Sequence, residues 1–505
     1  MNRLIALICT LGICWNCLSQ KEDYIWLSGF HASILYDTNV HHYFATNKID
    51  FNTPTPTVTL DTAISLNFKS SVVSFCDSTG NLLFYSNGIE IRNKWDEIIQ
   101  NSRKMNNGWV INIFDPSEIT NGYPDEQAIM ALPIPGSKTD FLFFQCFADS
   151  TQGRTSINYP KVLTTYLSMA DNNGHGKVHY KDSVILSDII TPFITACKHA
   201  NGTDWWIIVG KQNSNCYYRI LLTDHGVSVM PDQSCLGEIV QFDDGGICTF
   251  SPDGTKYAAM NAASGLMLYD FDRCTGLLAN AHFYPIPHLI DSGWSYTGSC
   301  FSPNSRFIYC AIVNYLLQFD TWQSGSLSNP DTIARFDGFA DPLGSYYSAP
   351  QLAPDGKIYI SANNEGNYSV IDSPDLKGVA CHFRPHGLSL PALQFGPPIH
   401  PNYRLGAQVG GPCDTSSIGI SELSFESSIK LSPNPVLANG SLTVYSSEEG
   451  TIYFTDGLGR LLYTMDIHAG SNLVPSELLH IKEGLIYYSA QLPHGTVNGK
   501  VVVIR

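Results

Sequence analysis

Charge is scarce in this chain. Only 15% of its 505 residues are Asp, Glu, Lys or Arg, and the balance is acidic, −16 with histidine neutral. With 29 Lys and Arg against 45 Asp and Glu there is no basic cluster for a phosphate backbone, which argues against nucleic acid as a partner. No window holds a 3.6-residue apolar period between capping residues, so long helices are not expected. Beyond the first residues, no apolar run reaches the ~20 residues of a spanning helix, so no transmembrane segment is expected in the mature chain. Beyond Cys17, Cys-x-x-Cys pairs and paired His at ligand spacing are missing, as are acidic loops of EF-hand pattern; no metal and no cofactor are expected. Gly-x-Ser-x-Gly, His-Glu-x-x-His, phosphate-loop and dinucleotide motifs are absent too. Gly293-Trp294-Ser295-Tyr296-Thr297-Gly298 misses the elbow spacing, and no catalytic residue is named.

What is present is aromatic and turn-forming. Phe, Trp and Tyr make up 12%, with 41 Gly and 28 Pro, the composition of an all-β protein with many short strands. At the start, Arg3 precedes an apolar run from Leu4 to Ile13, and Cys17-Leu18-Ser19 offers small residues for cleavage. Residues 1–19 read as a secretory signal cut between Ser19 and Gln20. Eleven of the fourteen cysteines remain after cleavage, an odd number that leaves at least one thiol free. Some of the others are expected to be oxidised in an exported protein. Cys274 lies in a turn, Asp272-Arg273-Cys274-Thr275-Gly276, where a staple would be useful. A bridge between Cys381 and Cys413 would pin the end of the repeat region, although spacing alone leaves the connectivity open.

Three segments repeat. Phe250-Ser251-Pro252-Asp253-Gly254, Phe301-Ser302-Pro303-Asn304-Ser305 and Leu352-Ala353-Pro354-Asp355-Gly356 each precede a short apolar run and stand 51 residues apart. Fainter copies begin near Ser74, Met130 and Ala196. Strand–turn–strand units at such a period mark radial repetition of small sheets. Residues 20–403 therefore read as a β-propeller, seven-bladed with six as the alternative. The seventh blade would join Tyr24 to Tyr36 with strands near Ile399. Residues 404–427 read as a Gly- and Ser-containing linker.

Residues 428–505 alternate apolar and polar positions between glycine turns, the pattern of a small Ig-like sandwich. Their signposts are Pro433-Asn434-Pro435, Asp456-Gly457-Leu458-Gly459, Gly484-Leu485-Ile486-Tyr487 and Lys500-Val501-Val502-Val503. In this order at the terminus they resemble the type A C-terminal sorting domain of the Bacteroidetes type IX secretion system. Gly80-Asn81-Leu82-Leu83-Phe84-Tyr85, Asp270-Phe271-Asp272-Arg273 and Pro401-Asn402-Tyr403-Arg404 resemble secreted, distantly WD40-like Bacteroidetes propellers. The resemblance implies export through the periplasm, the type IX machinery as partner, and a secreted or cell-surface location. It assigns no activity.

Ligand-stacking rings are sought among aromatics in polar, Gly-containing company: Trp294, Tyr296, Tyr346 and Tyr347. Blade packing is the competing role for each, and for Trp205-Trp206 it is the stronger one. Three functions fit: a binding protein for glycan, peptide or envelope protein; a hydrolase or lyase acting on polysaccharide; and a structural part of an adhesion or motility assembly. Several carboxylates with a His along the ring axis would favour the enzyme.

Overall fold

The computed structural model describes residues 20–31, 42–114 save 69, 122–150, 157–231, 234–240, 246–286 save 263, 297–323, 327, 329–408 save 363, 413, and 429–504 save 439, 458, 476–483 and 494. Residues 1–19, read from the sequence as a signal, and the aromatics Trp294 and Tyr296 lie outside them. The chain divides into two compact units, Met1–Ser416 and Ser417–Arg505.

Unit 1 is built almost wholly from antiparallel meanders. The first two have three strands each, Ile25–Gly29, Thr46–Asp50, Thr57–Asp61 and then Val73–Cys76, Leu82–Ser86, Ile91–Asn93. The last three have four strands each and start at Gly246–Phe250, Thr297–Phe301 and Pro350–Leu352. Between them lies an eight-stranded sheet in which the long strand Lys177–Lys198 serves two meanders. Its first half pairs with Ile157–Ser168 and its second half with Trp205–Lys211. The only α-helix among the described residues is Trp109–Phe114.

The opening strands of successive meanders stand side by side. Ile25–Gly29 lies beside Val73–Cys76, which lies beside Ile129–Pro133; Gly246–Phe250 lies between Lys177–Lys198 and Thr297–Phe301, which in turn touches Pro350–Leu352. Alternation along the strands then sends side chains into the seams between meanders. Trp205 packs in one seam and Trp206 in the next, both buried.

First and last meanders also meet. Trp26, Ile49 and Phe51 pack against Tyr359, Tyr368 and Leu390, and the Asn47 amide bonds both the N–H and the C=O of Ala392. This closure differs from the expected joining of Tyr24–Tyr36 to strands near Ile399. The segment from Ile25 forms a sheet with its own neighbours, and the chain near Ile399 is not a strand. Proline at 397, 398 and 401 denies that segment the donors a ladder needs.

Residues 395–404 run down the axis instead. Phe395, Gly396 and Pro397 meet Ser70, Glu126 and Ala349, which precede opening strands, whereas Pro401, Asn402 and Arg404 meet Pro252, Pro303 and Pro354, which follow them. Tyr403 is buried among Phe75 and Trp205, its hydroxyl donating to the Ala131 carbonyl at 3.2 Å. Arg404 forms a two-pronged pair with Asp23, at 2.5 and 2.8 Å. Farther on, Arg273 donates to the Gly406 carbonyl, and Cys413 is disulfide-bonded to Cys274.

The expected Cys381–Cys413 bridge is therefore not formed. The threaded segment delivers Cys413 to the turn that carries Cys274, while Cys381 is a buried thiol packed with Tyr309. A second disulfide joins Cys216 to Cys235 on paired strands.

Unit 2 is a two-sheet sandwich. Three strands (Ile429–Ser432, Leu442–Ser446, Gly470–Val474) face five (Val436–Leu437, Gly450–Thr455, Leu461–Ile467, Gly484–Leu492, Gly495–Ile504) across a core that includes Val444, Ile452, Phe454, Ile486 and Val501. No helix among the described residues is long and apolar enough to cross a membrane.

Candidate functional site

Between residues 399–404 and the opening strands of the later meanders remains a cavity of about 280 Å³. Asp23 is its only carboxylate, and Arg404 neutralises it. His400 lines the same cavity, and burial pushes its imidazole down to about 4, so the ring is neutral. At the other end, burial beside Asp125 pushes the Glu126 carboxyl up to about 8. Glu22, beside Asp23, is held above the usual carboxylate range chiefly by burial, and no motif assigns these groups a reaction. Nor do the described His, Cys, Asp and Glu form a group able to hold a metal.

A second feature lies on the loop between Asp331–Arg335 and Pro350–Leu352, at the end of the ring where opening strands begin. It is folded by its own backbone: Ser345 N–H donates to Phe339 O, Asp341 N–H to Leu343 O, and Tyr347 N–H to Val313 O. Side chains hold it from outside. His42 pairs with Asp341 at 2.8 Å and His386 with Asp337 at 3.1 Å. The His42 ring is largely buried and lies against Gly366. Beneath the loop, Glu365 accepts the Ala362 N–H, and burial raises its carboxyl to about 7.

This rigid loop holds apolar side chains in water. Phe339, Leu343 and Tyr346 are 41%, 53% and 43% exposed. Phe339 is backed by the His386 ring at 4.0 Å and Tyr346 by Phe336 at 4.3 Å. Of the four rings expected to stack on a ligand, Tyr346 is at the surface and Tyr347 is buried, its hydroxyl bonded to Arg335 O. Phe339 and His386 were missed by sequence reasoning. The signal was the run Phe336-Asp337-Gly338-Phe339, where aromatics alternate with turn residues.

In unit 2 the signposts have structural duties. Asn434 donates to Lys500 O at 2.8 Å and accepts the Val502 N–H at 2.9 Å, clamping the last strand between Pro433 and Pro435. Asp456 closes its turn on Arg460, with Gly457 inside it and Gly459 at φ +80°. Gly484 opens the strand that pairs with Val503, and Lys500 stands opposite Tyr487.

No family model and no curated protein matches the chain. Solved structures similar to it include a functionally unknown protein from Desulfotomaculum acetoxidans, with TM-score 0.41, 12% identity, 74% of this chain and 99% of that one. PorZ of Porphyromonas gingivalis, titled an essential bacterial surface component of the type IX secretion system, gives 0.28 and 10%, over 91% and 68%. The Cps50 β-propeller domain of Myceliophteria thermophila gives 0.29 and 12%, over 74% and 98%. Similarity this low says nothing of what the chain binds or does.

Proposed function

We propose that the chain is an exported binding protein: a seven-bladed β-propeller followed by an Ig-like type IX sorting domain, recognising its ligand through the loop of Phe339, Leu343 and Tyr346. The observation that carries the reading is that loop, a backbone-locked element presenting backed aromatic rings to solvent. Preorganised rings of this kind lose little freedom on binding. The ligand class is glycan, extended peptide or an envelope protein, and the type IX machinery is the export partner. Cleavage after Ser19 and a secreted or surface location belong to the same reading, which rests on the order of the terminal motifs. Purified protein screened on a glycan array and by envelope pull-down should yield a ligand whose binding falls roughly tenfold or more in Tyr346→Ala and Phe339→Ala. A ligand whose affinity ignores both substitutions would place recognition elsewhere.

A further inference from the structure

The cavity at the other end of the ring has a composition that is not yet explained. The three repeats place Pro252, Pro303 and Pro354 around it, and Pro350 and Pro401 complete a collar of five prolines. Two thiols from neighbouring opening strands, Cys248 and Cys300, line its wall. Burial pushes both up to about 12, so they stay neutral. Asp23 and Arg404 cancel one another, which leaves no net charge to attract an ion. The remaining polar side chains are Thr195, Thr249, Ser299, Gln351, Asn402 and the neutral His400, none of them charged. Proline C–H bonds make favourable contacts with a π face, and Ser299 Oγ and His400 Nε2, both buried without a hydrogen-bond partner among the described residues, can bond a group at the edge of a ring. A volume of about 280 Å³, open to solvent on one side, suits one planar ring with its substituents.

We infer that this proline-collared axial pocket is a binding site for an uncharged aromatic ring carrying a hydrogen-bonding substituent. The site is separate from the exposed loop and does not depend on that reading. Its ligand could reach it as a free aromatic compound or as a residue of an extended peptide, and the two are separable by probe.

The test is titration of the full mature chain with p-cresol, N-acetyltyrosinamide and N-acetylleucinamide, followed by calorimetry and saturation-transfer NMR. Tyrosinamide should bind saturably, with leucinamide at least about tenfold weaker. Ring protons should show contacts to proline methylenes. Affinity for p-cresol equal to that for tyrosinamide assigns a free aromatic ligand; a gain from the amides assigns a peptide residue. Thr249→Phe and Gln351→Trp fill the pocket from two sides, and either should abolish binding while leaving the thermal transition in place. No saturable binding by the wild type, equal binding of leucinamide, or binding undiminished in a folded filled variant would overturn the inference. The wild-type NMR contacts decide the matter should both variants fail to fold.

Discussion

Glu365 is 1% exposed, with its carboxylate bonded to the Ala362 N–H and beside the Ser345 hydroxyl. Burial is the main cause of its raised pKa, with Asp341 adding to it. A carboxyl raised from 4.5 to about 7 is protonated in the folded state under mildly acidic conditions. Its contribution is therefore complete below the ordinary carboxylate range and is lost as pH rises through about 7. The full difference corresponds to about 3 kcal/mol. Glu365→Gln should unfold like wild type at pH 4 and be more stable by about 2–3 kcal/mol at pH 8.5. Denaturant titrations at the two values check this, and equal differences at both would refute it. Glycine offers a second contrast. Gly254 and Gly356 share the repeat position and positive φ, +71° and +79°. A Cβ at Gly254 would meet Arg273 and Leu405 at 2.7 Å, whereas at Gly356 it meets nothing within 4 Å. Gly356→Ala should cost about 1 kcal/mol of backbone strain, and Gly254→Ala clearly more, because the axial segment must also shift. Ser305, at φ +63°, tolerates the same region and has its hydroxyl engaged by the Asp253 N–H.

Among elements, the axial segment has most at stake. Asp23 is 4% exposed in its side chain, and Arg404 supplies its counter-charge. Arg404→Ala strands a buried carboxylate and should destabilise unit 1 by about 2–4 kcal/mol; Asp23→Asn in the same chain should recover part of that loss. Double-mutant unfolding measures the recovery, and additive losses would mean the pair does not hold the segment. Nothing in residues 395–408 announced this path. The repeats were legible because Pro-Asp-Gly fixes a turn from local chemistry, and the alternation on either side fixes two strands. A chain running along an axis has no period of its own; its partners, Ala131 and Asp23 among them, are remote in sequence. The same holds for the disulfide. Cys274 read correctly as a turn in need of a staple, but its partner depended on where the axial segment emerged. At the candidate loop, Tyr346 was legible as an aromatic in turn company. The backing of Phe339 by His386 was not, since it joins different strands of a meander.

At the scale of the whole molecule, the contacts described above that join the first meander to the last and to residues 395–404 are internal to unit 1. The Trp26 cluster, the Asn47–Ala392 bonds and the Asp23–Arg404 pair all lie before residue 417. Unit 2 has its own core of Val444, Ile452, Phe454 and Val501. A chain ending after residue 416 should therefore keep the thermal transition of unit 1, within a degree or two. Removing residues 20–31 deletes Asp23, Trp26 and the first strand together, and should lower that transition steeply or abolish folding. Calorimetry of the two truncations separates the outcomes. Loss of the transition on removing unit 2 would show that the ring leans on it; an unchanged transition without residues 20–31 would show that closure is not cooperative. The first truncation also bears on export, because a folded unit 1 lacking residues 417–505 should remain in the periplasm of its producing cell. Its appearance on the surface or in the medium would remove the sorting role proposed for the C-terminal sandwich, while leaving the fold of unit 1 untouched.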